Sequence, residues 1–303
     1  MTGLVFKSTG SWYDVQVDGR HYPARVRGRL RLEGIKENNP IAVGDHVDVD
    51  IEGHEAIITA IQPRINHMLR QSVKKTGHSH VLAANIDQAV VVATIKQPRT
   101  SLGFIDRFLV SAEAFRIPQV IMFNKRDLLT ADEREEVNKL INLYETTGAR
   151  VLLMCAFRDE LEPLLQILQG KTTLVAGHSG VGKSTLLNRL SPDIKQTVGD
   201  ISDFSNKGTH TTTFAEMFSL NEQTHIIDTP GVKEWGLVDM TAEEISDYFP
   251  EMRDRRLDCK LGARCLHQTE PKCAIRTAVE KGDIAESRYQ SYLSMIAGED
   301  NRK

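Results

Sequence analysis

Residues 177–184 read Gly-His-Ser-Gly-Val-Gly-Lys-Ser, with the apolar run Thr172-Thr-Leu-Val-Ala176 before them and Thr185-Leu-Leu-Asn-Arg-Leu190 after. This is GxxxxGKS in a strand, loop, helix setting, and it allows few folds: the strand has to sit in a parallel sheet with the helix laid across its face. The glycines let the loop curl so that backbone N–H groups and the helix N-terminus converge on a phosphate-sized space. Gly177, His178, Ser179, Gly180, Val181, Gly182, Lys183, Ser184 and Thr185 are therefore expected to enclose the phosphates of a nucleotide. Lys183 would reach the β- and γ-phosphates, and Ser184 would ligate Mg²⁺.

The flanking pattern agrees. Apolar runs at 88–95, 119–124, 151–156 and 172–177 alternate with helical segments at 104–116, 131–147, 161–169 and 183–190. The β-type runs are apolar throughout, as strands covered on both faces are. This predicts a doubly wound α/β domain. A net charge of −3, with 26% charged and 40% apolar residues, suits a globular chain able to bury a core, and 303 residues allow two domains or three small ones. No stretch of 18 apolar residues and no signal-type N-terminus occurs, so a cytoplasmic protein without membrane contact is expected.

A P-loop leaves the base open. Asn124-Lys-Arg-Asp127 follows the run Gln119-Val-Ile-Met-Phe123, where a parallel sheet presents ligands from its carboxyl edge. A carboxylate at Asp127 accepts from both N1–H and the exocyclic amine of guanine, whereas adenine would leave it unpaired. Guanine is expected, and an ATP-dependent kinase fits poorly. Asn124 would address the Hoogsteen side and Lys125 would lay its stem across the base. Asp228-Thr-Pro-Gly231 closes the strand-like Thr224-His-Ile-Ile227, so Asp228 would hold Mg²⁺ through water and the Gly231 N–H would sense the γ-phosphate. The polar segment 195–213, ending in His210-Thr-Thr-Thr213, suits a switch loop.

The order of these motifs is unusual. The base-reading NKRD precedes the P-loop, with Cys155-Ala156 as the second guanine loop, so the domain is circularly permuted. Val232 also stands in the slot after DTPG where Ras-type enzymes carry the water-orienting glutamine, so hydrolysis needs another group or a partner. Cys155, with nothing nearby to lower its pKa, reads as a buried small residue rather than a nucleophile.

Two flanking pieces complete the chain. The first sixty-odd residues form short runs broken by turn signals such as Asp18-Gly19 and Glu52-Gly53, which predicts a small OB-like or SH3-like barrel. Arg25, Arg27, Arg29 and Arg31 alternate, so a strand would gather all four on one face, with Val26 and Leu30 on the other; phosphate backbones are the natural counterpart. Toward the C-terminus, Cys259-x5-Cys265-x-His267-x5-Cys273 supplies three thiolates and an imidazole, the donor set of a closed structural Zn²⁺ site, and a helix is expected over 284–297.

With NKRD, Cys-Ala, GHSGVGKS, HTTT and DTPG in that order between a β-barrel and the cysteine module, the sequence resembles the RsgA family (also called YjeQ or EngC) along nearly its whole length. Ala83-Ala-Asn-Ile-Asp-Gln88 and Arg288-Tyr-x-x-Tyr292 extend the likeness. The resemblance implies an OB-fold barrel over 1–70, a circularly permuted G domain over 71–238 and a zinc-finger domain with a C-terminal helix over 239–303. It implies GTP hydrolysis stimulated by the small ribosomal subunit, a checkpoint role in that subunit's late maturation, and rRNA contacts from the outer domains. It makes Thr212 the switch Mg²⁺ ligand, with Thr211 and Thr213 as alternates, and His210 the stand-in for the missing glutamine, so His210, Lys183 and Thr212 form the expected catalytic set. A monomer is expected, and a guanine pocket is also open to (p)ppGpp. A different reading makes the chain chiefly an RNA-binding checkpoint whose nucleotide sets affinity and whose turnover is incidental.

Overall fold

The computed structural model describes residues 1–27, 40–71, 79–191, 215–230, 235–238 and 240–298. Strands β1 (Thr2–Ser8), β2 (Tyr13–Val17), β3 (Arg20–Val26), β4 (His46–Glu52) and β5 (Glu55–Ile61) close in the order β1-β2-β3-β5-β4-β1. All contacts are antiparallel except β3 with β5. This is a five-stranded barrel of OB type, one of the two that the sequence leaves open. Asp18 and Gly19, with φ of 49° and 77°, make the two-residue turn that joins β2 to β3, because two positive φ values match the twist of the flanking strands. Along β2, Tyr13, Val15 and Val17 point inward to meet Val5, Val47 and Ile58 in the barrel core.

The arginine stripe is shorter and less bare than the sequence implies. Strand β3 ends at Val26; Arg25 and Arg27 do face outward, while Ala24 is buried and Val26 half-buried. Arg25 lies 3.5 Å from Glu55, and Arg27 lies 2.7 Å from Glu52 and 3.9 Å from Asp50. These acids come from β4 and β5, so the local run of arginines hides a charge balance made across strands. Arg29 and Arg31 lie outside the described residues.

A hairpin of β6 (His67–Gln71) and β7 (Ser79–Ala84) leads into the second domain, where Met68 and Ala83 join the core that covers one face of its sheet. Then follow β8 (Gln88–Ala93), α1 (Leu102–Ala114), β9 (Gln119–Phe123), α2 (Ala131–Thr146), β10 (Arg150–Leu153), α3 (Glu162–Leu168), β11 (Thr172–Gly177), α4 (Lys183–Leu190), β12 (Glu216–Asn221) and β13 (Thr224–Asp228). The strands lie in the order β10-β9-β8-β11-β13-β12, parallel except for β12. α1 and α2 cover one face, with Phe104, Phe108, Val137 and Tyr144 in the core; α3 and α4 cover the other, with Leu164, Leu168, Leu186 and Leu187. The chain reverses direction between β8 and β11, which is where an open α/β sheet forms its ligand crevice.

The sequence does not announce β12, since Glu216-Met-Phe-Ser-Leu-Asn221 is half polar. It borders β13 on one side and meets β1 on the other through the pair Lys7↔Glu216, so barrel and central sheet form one continuous surface of eleven strands. Lys7 and Glu216 are also ion-paired at 3.1 Å.

The C-terminal piece consists of short helices α5 (Ala242–Ile245) and α6 (Pro250–Arg253), the cysteine loops, and α7 (Ala274–Lys281) and α8 (Glu286–Ile296). Its core of Phe249, Met252, Ile275 and Tyr292 includes Val110 from α1, so the module packs on the back of that helix. Among the described residues no helix is long and apolar enough to cross a membrane.

Candidate nucleotide site and metal centre

β11 delivers the chain to Gly177, where an added Cβ would lie 2.6 Å from the Val92 carbonyl of the neighbouring strand. Gly180 and Gly182 have φ of 83° and 96°, and Gly182 caps α4. A side chain at Gly182 would also collide with the Asn124 amide, so this glycine is required twice over. Lys183 is buried at the start of α4, its ammonium held by the Asp228 carboxylate and, at 2.5 Å, by the Thr229 carbonyl. Two residues singled out separately from sequence thus meet at the ends of adjacent strands. Asp228 is fully buried and Ser184 half-buried, and a carboxylate and a hydroxyl are hard oxygen donors of the kind that fit Mg²⁺.

Asn124 ties the loops together. Its side chain donates to the Val181 carbonyl at 2.8 Å and accepts from the Ala156 N–H at 2.8 Å. The sequence aims Asn124 at the base; in the structure its oxygen and one amide hydrogen serve the two neighbouring loops. Lys125, in a left-handed conformation, stretches across to the Gly180 carbonyl at 2.7 Å and to that of Gln97, a partner with no sequence signature. Burial pulls its pKa below the usual lysine range. Asp127 is exposed on the turn that follows, with its charge felt by the Cys155 thiol. Cys155 itself is buried, and burial, reinforced by Asp127, pushes its pKa up, so it is an inert thiol as the sequence suggests.

An aromatic set that no motif announces backs the P-loop. The His178 ring lies 3.9 Å from that of Phe104, and Trp235 packs edge-on against Phe108 at 5.0 Å and Phe104 at 6.5 Å. Trp235 also donates from Nε1 to Ser111 at 2.9 Å, which fixes the chain soon after the DTPG segment. Gly231, Val232, His210, Thr211, Thr212 and Thr213 lie outside the described residues.

In the C-terminal module the ligand atoms of Cys259, Cys265, His267 and Cys273 lie within 4.8 Å of one another, and all four residues are buried. The Cys259–Cys273 sulfur separation is 3.9 Å; His267 Nδ1 lies 3.6 Å from Cys259 Sγ and 3.3 Å from Cys273 Sγ. Four-coordinate Zn²⁺ with bonds of about 2.3 Å to sulfur requires a tetrahedral edge of about 3.8 Å, so the cluster fits that ion. The Ala274 and Arg276 N–H groups point at Cys259 and Cys273 Sγ, and burial holds His267 near pKa 4, hence neutral as a ligand must be. Burial also drives the Cys265 thiol up to about 12 and that of Cys273 upward, so the thiolates need a cation's charge. The tyrosines of Arg288-Tyr-x-x-Tyr292 clamp the ligand loop from α8: Tyr289 donates to the His267 carbonyl at 2.6 Å and Tyr292 to that of Leu266 at 2.9 Å. Removing the metal with a chelator is expected to lower the melting temperature of this module first, seen as loss of protection of α7 and α8 in hydrogen exchange with the central sheet unaffected.

P-loop, guanine-type loop and Asp228 converge at the carboxyl ends of β11, β9 and β13, but in an order rotated from the usual one. Fold and site define a circularly permuted P-loop GTPase with an OB-type barrel and a Cys₃His module. Residues 61–238 match the family model for the RsgA GTPase and residues 2–58 that for the RsgA N-terminal domain. The chain belongs to the RsgA GTPase family and is accordingly a hydrolase acting on GTP. It is 48% identical to the small ribosomal subunit biogenesis GTPase RsgA 2 of Bacteroides thetaiotaomicron, over 100% of this chain and 98% of that one. It is 46% identical to the RsgA of Christiangramia forsetii over 99% and 97%. Among solved structures, YjeQ from Thermotoga maritima superposes with a TM-score of 0.76 at 32% identity, over 98% of this chain and 97% of that one. YloQ, a circularly permuted GTPase, gives 0.71 at 30% over 98% and 93%.

Proposed function

We propose that this protein is a cytoplasmic GTP-driven switch in late maturation of the small ribosomal subunit, hydrolysing GTP when docked there. The observation that carries the reading is the convergence of Lys183, Asp228, Asn124 and Cys155-Ala156 at one sheet edge, in a chain whose relatives are named small ribosomal subunit biogenesis GTPases. Gly177 to Thr185 enclose the phosphates, Asp127 reads guanine with Asn124, Lys125, Cys155 and Ala156, and the second amide hydrogen of Asn124 is left for the base. Ser184, Thr212 and Asp228 hold Mg²⁺, which neutralises charge on the phosphate oxygens. On GTP binding Lys183 exchanges Asp228 for the β- and γ-phosphates. His210 orients the attacking water, since Val232 has no polar atom to do so, and the Gly231 N–H senses the γ-phosphate. Cys259, Cys265, His267 and Cys273 hold one structural Zn²⁺. Arg25, Arg27, Arg29 and Arg31 contact rRNA, Arg25 and Arg27 by exchanging their acidic partners for phosphates, an electrostatic contact weakened by salt. The protein acts as a monomer, and (p)ppGpp competes for the guanine pocket.

Steady-state hydrolysis of GTP, with ATP as control, tests this reading. Stimulation of at least tenfold by purified small subunits is expected for GTP alone, as an added transition-state contact gives. Val232 in the slot of the water-orienting glutamine favours one other reading, an RNA-binding checkpoint whose nucleotide sets affinity. Tight GTP-dependent subunit binding without stimulation would select it.

A further inference from the structure

Strand β10 is four residues long and forms the edge of the sheet, paired on one side by β9, so the loop that leaves it has little support from the sheet. That loop is nevertheless held at most of its polar backbone atoms. The Asp159 carboxylate accepts from the Cys155 N–H at 2.7 Å and turns its remaining capacity to Arg126, whose Nε and Nη2 approach at 2.5 and 2.8 Å. Arg126 is the variable position of NKRD, next to Asp127. From the opposite side Arg189, in the last turn of α4, donates through Nη1 to the Ala156 carbonyl at 2.7 Å and the Asp159 carbonyl at 2.9 Å.

Three separate stretches of chain therefore meet on five residues: the turn carrying Asp127, the Cys155–Asp159 loop and the helix that begins at Lys183. Lys183 and Arg189 are six residues apart on one rigid helix, about 9 Å along its axis, so the phosphate end of the site and the base end are set by the same element. A planar guanidinium with a fork of donors suits this task, because it fixes direction as well as distance.

We infer that Arg189 and Asp159 are positioning residues for guanine selection: with Arg126 they lock the Cys155–Asp159 loop against the Asp127 turn and the P-loop helix, so that both base-reading edges keep one spacing. This rests on the reading of Asn124, Asp127, Cys155 and Ala156 as the guanine site. Neither residue touches nucleotide. Their loss loosens the base end and leaves the P-loop intact.

The test is competition of GTP, ITP and ATP against a fluorescent GDP analogue on full-length Arg189→Met and Asp159→Asn, with melting temperature measured alongside. ITP lacks the exocyclic amine, so the GTP:ITP affinity ratio reports on the base edge alone. GTP affinity is expected to fall about tenfold, the loss of a charge-assisted hydrogen bond, with the GTP:ITP ratio falling several-fold and ITP affinity changing least. Arg189→Lys, whose ammonium can donate to the same two carbonyls, is expected to retain most of the ratio. An unchanged GTP:ITP ratio in both variants overturns the inference, as does an equal loss for all three nucleotides. A wild-type protein that does not prefer GTP to ITP and ATP overturns instead the guanine reading beneath it.

Discussion

Asp127→Asn should lower GTP affinity by roughly 100-fold or more and raise affinity for XTP, because a site built to pair with a donor rejects the partner lacking it far more strongly than an apolar pocket rejects a methylene. The carboxylate is exposed on its turn, so both its oxygens are open to two donors from one base edge. Asparagine keeps the shape and replaces one oxygen by an amine, which complements the C2 carbonyl of xanthine. Equilibrium competition with a fluorescent nucleotide measures both arms. Unaltered GTP binding would remove Asp127 from base recognition.

Arg288→Met should cost about 3–5 kcal/mol of stability, the loss expected when one member of a buried ionic group is deleted and its partner charge remains. Arg288 is the largest fully buried side chain among the described residues. It donates to Asp106 of α1 and Glu251 of α6, both at 2.7 Å, with its guanidinium 4.4 Å from the centre of the Phe249 ring. Burial opposes its charge, yet the two carboxylates more than offset that and its pKa lies above the ordinary arginine value. Asp106 is fully buried, shares one oxygen with Tyr144 at 3.0 Å, and keeps its other oxygen without a partner among the described residues. Thermal unfolding reads the loss. The double variant Asp106→Leu/Arg288→Met should be less destabilised than the two single losses summed, since two charges leave together; strict additivity would count against a coupled pair.

The parts that were legible in the sequence share one property: their signal is local. The strand β11, its glycines and α4 follow from the nineteen consecutive residues 172–190, and the four metal ligands from the fifteen residues 259–273. Asp18-Gly19 names its turn by itself. What was not legible depends on neighbours far along the chain. The acids that balance Arg25 and Arg27 come from other strands, so a run of arginines overstated the bare charge. Asn124 could be assigned to a base from its motif, but that it also binds Val181 and Ala156 depends on how the sheet orders β10, β9, β8 and β11. β12 escaped because a strand that bridges the central sheet and the barrel buries only part of itself; its pattern of burial lacks the continuous apolar run that marks β8. Arg288 stood in the sequence as part of a family motif, but nothing near it announced its buried partners Asp106 and Glu251.

The joint between β1 and β12 has a temporal side. Lys7 and its partner Glu216 are 209 residues apart, and Arg288 and Asp106 are 182 apart. Synthesis at about 5–20 residues per second leaves Lys7 waiting on the order of 10–40 s for the strand it will border. The barrel has no need to wait, because β1 already pairs with β4 at Thr2↔Asp48 and is satisfied within the first fifty residues. α1 is different: the counter-charge for Asp106 is translated 182 residues later. A chain cut short before α8 would carry a folded barrel and a central sheet whose first helix could not close its outer face. Closure of that helix face is thereby tied to a pairing made 182 residues further along the chain.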